Sequence, residues 1–486
     1  MISVQENKNG SKYDVYNTTS SLSQEVEVTT TAKNMLGNVD ENTLLLMKET
    51  PDIKENRNIS IILMFTFISV TSRTLWIQSV LIAYIYLISS HNDVTVGFLS
   101  SITGIIQLCV SFPTGYLSDI SCQRHVMIRL GTVCGYVSVA LFLCAVIRKS
   151  ITLLSLALCI FGGYWGIVQT VVLALFTDSI PNGLTTKYFT QRLLATRCGV
   201  AMGPLTSLIM FLCIGNRWTI GHCSWVLTLS QLLSIPGLIL LWYLTEDNIT
   251  QANTTSSIQH QDESNGSSSV PSLKTYSSKQ ISEEIATEIA LTISACELIA
   301  NLANGMCIRF FPVFFMDKLG MHPSSIQILY ICNPVLGIGM ASLARYLSIK
   351  SSRCSVCIIL QSIGVFFFFS FIFTYQYTHT LHGEDPSTNS RIFICVLFVL
   401  RTIFLNSTQA LTKSILMDVV PKEERGRWSS FESINTATWA GSAFLGGILC
   451  DRFCFEVNFY ACAILFLFQP LILSTIINKI PHDICL

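Results

Sequence analysis

Charge is scarce in this chain: only 12% of its 486 residues are Asp, Glu, Lys or Arg, about half the ~25% typical of soluble proteins. The 30 bases and 30 acids cancel, so there is no basic field and no nucleic-acid partner is expected. The sequence has no Walker phosphate loop and no GxSxG nucleophile turn. That absence fits neither ATP-driven pumping by this chain alone nor hydrolase chemistry, and no enzyme activity and no cofactor are expected. Metal ligation lacks its pattern as well: Cys354 and Cys357 form a CxxC at a helix start without partners, so no metal site is assigned. Most of the 18 cysteines fall in apolar stretches, among them Cys109, Cys134, Cys144, Cys159, Cys296 and Cys332, where a thiol packs as a small apolar group. Cys213 and Cys223 flank one short loop and would bridge on an oxidising face, with independent packing the preferred reading.

Long polar stretches are few. Residues 1–58 are rich in Ser, Thr, Asn and Glu and read as a disordered tail. Residues 245–284, which contain SSIQHQDESNGSSSVPS, read as a flexible linker, and 479–486 form a short tail. The first apolar run starts only at Ile59 and is too long for a cleavable signal sequence, so none is expected.

The rest of the chain repeats one pattern. Twelve apolar runs occupy 59–88, 94–116, 125–147, 151–177, 188–214, 223–244, 286–316, 323–347, 354–378, 391–417, 428–450 and 456–478. About 20 apolar residues cross a ~30 Å hydrocarbon core as a helix. The expected fold class is therefore an all-α membrane protein of twelve transmembrane helices. The linker divides them into a six-helix bundle over 59–244 and a second over 285–478. Counting bases near the loops gives nine on the face shared with the termini (Arg124, Arg129, Lys187, Arg345, Lys350, Arg353, Lys422, Arg425, Arg427) and six opposite (Arg148, Lys149, Arg217, Lys318, Arg391, Arg452). The positive-inside rule then places both termini in the cytoplasm. The sequons at Asn17, Asn248, Asn253 and Asn265 would face the cytosol and stay unmodified.

The chain also contains its own repeat. Asp178, Pro181, Lys187 and Tyr188 recur at an offset of 240 as Asp418, Pro421, Arg427 and Trp428. An offset of 229 places Arg124 on Arg353 and Gly135 on Gly364. A six-helix unit duplicated in parallel relates its halves by a pseudo-twofold axis along the membrane normal, with a site between them near the midplane. In each copy the Pro stops the helix, the base suits head groups and the aromatic suits the interface.

The loop after span two reads Gly115-Tyr-Leu-Ser-Asp119-Ile-Ser-Cys-Gln-Arg124. It resembles the loop signature G-x-L-[AS]-D-[RK]-x-G-[RK]-[RK] of the major facilitator superfamily. Gly115, Leu117, Ser118, Asp119 and Arg124 match, whereas Ile120, Cys122 and Gln123 depart; the corresponding stretch of the second half, 344–353, carries Ser348 in place of the Asp. The resemblance implies alternating access between the two bundles and a cavity lined by spans one, four, seven and ten. It also implies a gating role for Asp119 on the cytoplasmic side. Arg124, Asp178 and Asp418, at the matching loop ends, are grouped with it as gate candidates. Span five holds Gly199-Val-Ala-Met-Gly203-Pro204, similar to the core of a signature of proton-coupled drug antiporters in that superfamily. Close helix packing is the preferred reading of this spacing.

A charge at the bilayer centre costs at least ~2.5–3.5 kcal/mol, so each one needs a reason. Arg73 lies mid-span in span one, Glu297 in span seven with Asn301 and Asn304 on its face, and Arg401 in span ten with Thr408 and Thr412. Arg73, Trp76, Gln169, Asn301, Asn304 and Arg401 are the candidate substrate-binding residues, and Glu297 the candidate proton carrier. Arg197 and Arg309 lie nearer span ends and read as structural or snorkelling. The alternative for Arg73 and Glu297 is a buried structural ion pair. The excess of Arg over Glu suits an anionic or drug-like solute, transported with protons. Two other readings stay open: a facilitative carrier of a neutral solute such as a sugar, and a non-transporting sensor or partner-binding protein of the same fold. The expected partners are a small solute and the lipid bilayer, with the chain acting as a monomer.

Overall fold

The computed structural model describes residues 57–121, 124–181, 184–244, 283–382, 387–420 and 425–477. The tail, most of the linker, the C-terminal residues and all four sequons lie outside the described residues, as do the side chains of Asp119 and Asp418. The described residues form helices α1 (Arg57–Ile77), α2 (Val80–Ile88), α3 (Asp93–Ser121), α4 (Arg124–Arg148), α5 (Ile151–Ser179), α6 (Thr185–Ile214) and α7 (Ile220–Trp242) before the linker. After it come α8 (Glu283–Ile308), α9 (Phe311–Asp317), α10 (Pro323–Lys350), α11 (Arg353–His382), α12 (Thr388–Ser407), α13 (Gln409–Val419), α14 (Arg425–Arg452) and α15 (Phe455–Ile476).

Eleven of the twelve expected spans are long and apolar enough to cross a membrane on composition alone. The exception is α14, which is 28 residues long but rich in Ser and Gly and charged at its ends. It packs along α3 and α8, burying Asn435 and Ser442. A helix shielded by its neighbours does not need a wholly apolar surface.

Three expected spans are interrupted. Span one breaks between α1 and α2, span seven between α8 and α9, and span ten at Thr408. Pro312 in the first turn of α9 explains the second break, because proline supplies no amide hydrogen and its ring crowds the preceding turn. Backbone groups freed inside a membrane must find other partners. The carbonyl of Ile77, at the first break, accepts a hydrogen bond from Arg309 Nη1 at 3.2 Å. Beside it the Ser79 hydroxyl accepts from Gln327 Nε2 at 2.8 Å. At the third break the Thr408 hydroxyl accepts from Gln361 Nε2 at 3.1 Å.

Apolar packing divides the molecule into one shared and two separate regions. One buried cluster draws on both halves of the chain, from Leu75, Tyr84 and Phe211 to Phe314, Phe371 and Phe459. A second cluster, around Ile62, Val168 and Leu241, belongs to the N-terminal half alone, and a third, around Ile293, Cys357 and Leu473, to the C-terminal half alone. Hydrogen bonds between the halves fall in the shared region: Trp218 Nε1 donates to the Met321 carbonyl at 2.9 Å and Asn216 Nδ2 to Ser324 Oγ at 2.7 Å. The halves are thus joined toward one face of the membrane and packed separately toward the other. Small residues allow the joining. A Cβ at Gly97 of α3 would stand 2.6 Å from the Ala443 carbonyl of α14. Similarly Gly203 of the Gly199–Pro204 stretch lies against α1, where a Cβ would meet the Leu75 amide nitrogen at 2.6 Å, and Thr74 Oγ1 donates to the Gly199 carbonyl at 3.1 Å. These glycines serve close helix approach.

Candidate functional site between the halves

Arg73 sits one turn before the break in α1, with its guanidinium 4.6 Å over the Trp165 ring of α5. Arg309 sits at the break in span seven and stacks in the same way, 4.9 Å over the Trp439 ring of α14. The two guanidinium groups come from opposite halves and are close enough to act on each other electrostatically. Among the described residues neither meets a carboxylate. An indole face stabilises such a cation by ~0.5–2 kcal/mol, and Arg309 gives one N–H to the Ile77 carbonyl.

Behind Arg73 lies a cavity of about 20 Å³, room for one water. Ser69, Ser72, Tyr164, Gln231 and Ser234 supply its polar lining. Trp76 lines the same cavity but is fully buried, wedged edge-on between Phe142 and Phe161 at 5.2 Å each. It forms the wall rather than an exposed contact. Gln169 is exposed on α5 and accepts a hydrogen bond from Gln107 Nε2 of α3 at 3.2 Å.

Glu297 occupies a different place. Its carboxylate accepts from Thr412 Oγ1 of α13 at 3.4 Å and from Asn435 Nδ2 of α14 at 3.3 Å. The structure does not pair it with Arg73. Asn301 donates to the Glu297 backbone carbonyl at 2.8 Å, and the half-buried Asn304 lies one turn further. Arg401 turns into the C-terminal half. It is 3% exposed, caged by the rings of Phe311, Phe368 and Phe466 at 4.4–5.3 Å, and donates to Cys307 Sγ at 3.3 Å. Of the gate candidates, Arg124 and Asp178 form a salt bridge that ties the start of α4 to the end of α5. Cys213 and Cys223 are both free thiols.

Sequence reasoning passed over Arg309 as a site residue and missed Trp439, Gln107 and Asn435. The signal for Arg309 was Pro312, which marks a break inside span seven and puts the arginine at it. Nothing in the sequence says which face of α14 meets α8.

The Major Facilitator Superfamily family model matches residues 59–381 and 293–483, so the chain belongs to that superfamily. A search of curated protein sequences finds no match. Among solved structures, a POT family transporter in complex with 5-aminolevulinic acid superposes with a TM-score of 0.63 at 13% identity, covering 89% of this chain and 98% of that one. A D-xylose–proton symporter gives 0.61 at 11%, covering 85% and 96%. A bacterial homologue of the iron transporter ferroportin, in an inward-facing state, gives 0.60 at 12%, covering 86% and 98%. At these identities the likeness is one of fold. The protein is a multi-pass integral membrane protein of transporter architecture.

Proposed function

We propose that the chain is a secondary transporter of a small organic anion, working by alternating access. In this reading Arg73 and Arg309 hold the anion and Glu297 carries the proton. The observation that carries the reading is the pair of guanidinium groups, one from each half, each seated on an indole and free of carboxylates among the described residues. Two unneutralised cations facing one another in a membrane protein repel, and an anion between them removes that cost. It also draws the halves together, which links binding to rocking.

Glu297 lies on spans seven, ten and eleven through Thr412 and Asn435, so its protonation changes contacts among three helices. Gln169, Asn301 and Asn304 supply neutral contacts around the opening, while Arg401 serves the internal packing of its half. With both termini cytoplasmic, the joined face is external and the described state is open to the cytoplasm. Asp119, Arg124, Asp178 and Asp418 then lie at the open side, where a gate is needed.

A neutral polyol is the second reading, favoured by the Ser, Tyr and Gln lining behind Arg73. Thermal unfolding of the purified protein against a panel of organic acids and their neutral amides separates the two, because a ligand raises Tm only if the folded state binds it. Acids are expected to raise Tm and their amides to leave it unchanged. An equal rise with the amides would contradict the anion reading.

A further inference from the structure

Asp93, the first residue of α3, is buried at 6% exposure, and its Oδ1 meets no hydrogen-bond donor among the described residues. A buried, unpaired carboxylate is costly, because removal from water disfavours the charged form. Its position is at the rim of the joined face: it precedes the apolar run 94–116 and opens α3.

The surroundings are acidic. Asp451 at the end of α14 and Asp317 at the end of α9 both act on Asp93, and both belong to the other half of the chain. Lys318 opposes them; it lies 3.6 Å from Asp317. Tyr86 of α2 reaches the Asp317 carboxylate with its hydroxyl, and His91 stands edge-on to the Tyr86 ring at 4.7 Å. Cys450 of α14 also faces Asp93, and the exposed Arg452 follows Asp451. The backbone is equally tight, since a Cβ at Gly447 of α14 would stand 2.8 Å from the Asp93 carbonyl. Asp93 is therefore clamped in the seam between halves, beside two carboxylates that belong to the other half.

We propose that Asp93 is a proton-binding site of this seam: the joined state takes up a proton on Asp93, and separation of the halves at that face releases it. Burial first, then the charges of Asp451 and Asp317, push its carboxyl up to about 7, against the opposing pull of Lys318. Once the seam parts, water and distance return it to the ordinary range near 3.9. The sign follows directly. Between these values the joined state holds one proton more than the separated state, so acid favours joining and rising pH favours separation, about tenfold per pH unit. Above about 7 both states are ionised and the dependence ends. This site is distinct from Glu297, and in the proposed orientation it makes external acidity close the external side.

Hydrogen exchange of the full-length protein in lipid nanodiscs, with no solute added, tests this site separately from any transport activity. After correction for intrinsic exchange, protection of the seam segments 86–97, 317–324 and 443–452 is expected to fall about tenfold per pH unit up to about pH 7 and to level off above it. Asp93→Asn, neutral at every pH, is expected to be flat and protected throughout. Asp451→Asn removes one repelling charge and is expected to move the break to lower pH. A flat wild-type profile, or a slope that survives in Asp93→Asn, overturns the proposal. Should Asp93→Asn fail to fold, an unmoved break in Asp451→Asn overturns it equally.

Discussion

Replacing Arg73 by Gln keeps a polar amide donor, shortens the side chain and removes its charge. The structure allows the consequence to be sized. Arg73 makes its described contact with the Trp165 face, 4.6 Å away, and none with a carboxylate. The loss in anion affinity is therefore that of one charge-assisted hydrogen bond, ~1.5–3 kcal/mol, or roughly 10- to 150-fold in Kd. Arg309→Gln loses the same interaction and also the bond to the Ile77 carbonyl across the halves. Its effect on any solute includes a conformational part that the Arg73 variant lacks. If both residues hold one anion, the double variant should lose less than the sum of the singles, because the second charge has little left to hold. Equilibrium binding of a radiolabelled acid and of its neutral amide to purified protein measures all four corners. The amide should change less than about threefold in Arg73→Gln, the scale of surface substitutions. Equal losses for acid and amide, or strictly additive losses, would refute the pairing.

Three other outcomes follow from neighbouring features. Glu297→Gln should abolish gradient-driven uptake yet spare exchange of preloaded solute, and uptake that still follows the pH gradient in the variant would remove Glu297 from proton coupling. Arg401→Met should leave Tm unchanged or raised, since a buried cation among three phenylalanines is replaced by an apolar chain of similar volume. A loss of solute binding at unchanged Tm would instead make Arg401 a binding residue. Gly203→Leu should destabilise by ~1–3 kcal/mol, read as a lower Tm, because α1 leaves no room beside it. An unaltered Tm would show that the α1–α6 approach is looser than described.

Much of the architecture was legible because hydrocarbon solvent imposes a simple rule. Apolar length located twelve runs, eleven of which form helices long and apolar enough to cross a membrane among the described residues. Span eleven, α14, falls short of the composition test, and of its described polar residues Asn435 and Ser442 are buried against protein. The break before Pro312 was written in the sequence, whereas those at 78–79 and Thr408 carry no proline and depend on side chains from distant helices. Site residues were legible only as rarities. Arg73, Glu297 and Arg401 look alike on a hydropathy trace, as mid-span charges. The structure separates them into a guanidinium stacked on an indole, a carboxylate bridging three helices, and a cation sealed in an aromatic cage. Rotational setting and the identity of the facing helix decide that difference, and a single sequence encodes neither locally. Asp93 illustrates the same limit: only its surroundings in the fold, with acids of α14 and α9, make it a buried acid.

Whether this superfamily member moves an anion is decided by uptake into sealed proteoliposomes, with pooled organic acids, sugars and amino acids offered with and without a proton gradient. Gradient-driven accumulation of an acid is expected, and Arg73→Gln should abolish it. Gradient-independent equilibration of a neutral sugar, or no movement at all by folded protein in sealed vesicles, would contradict the anion reading.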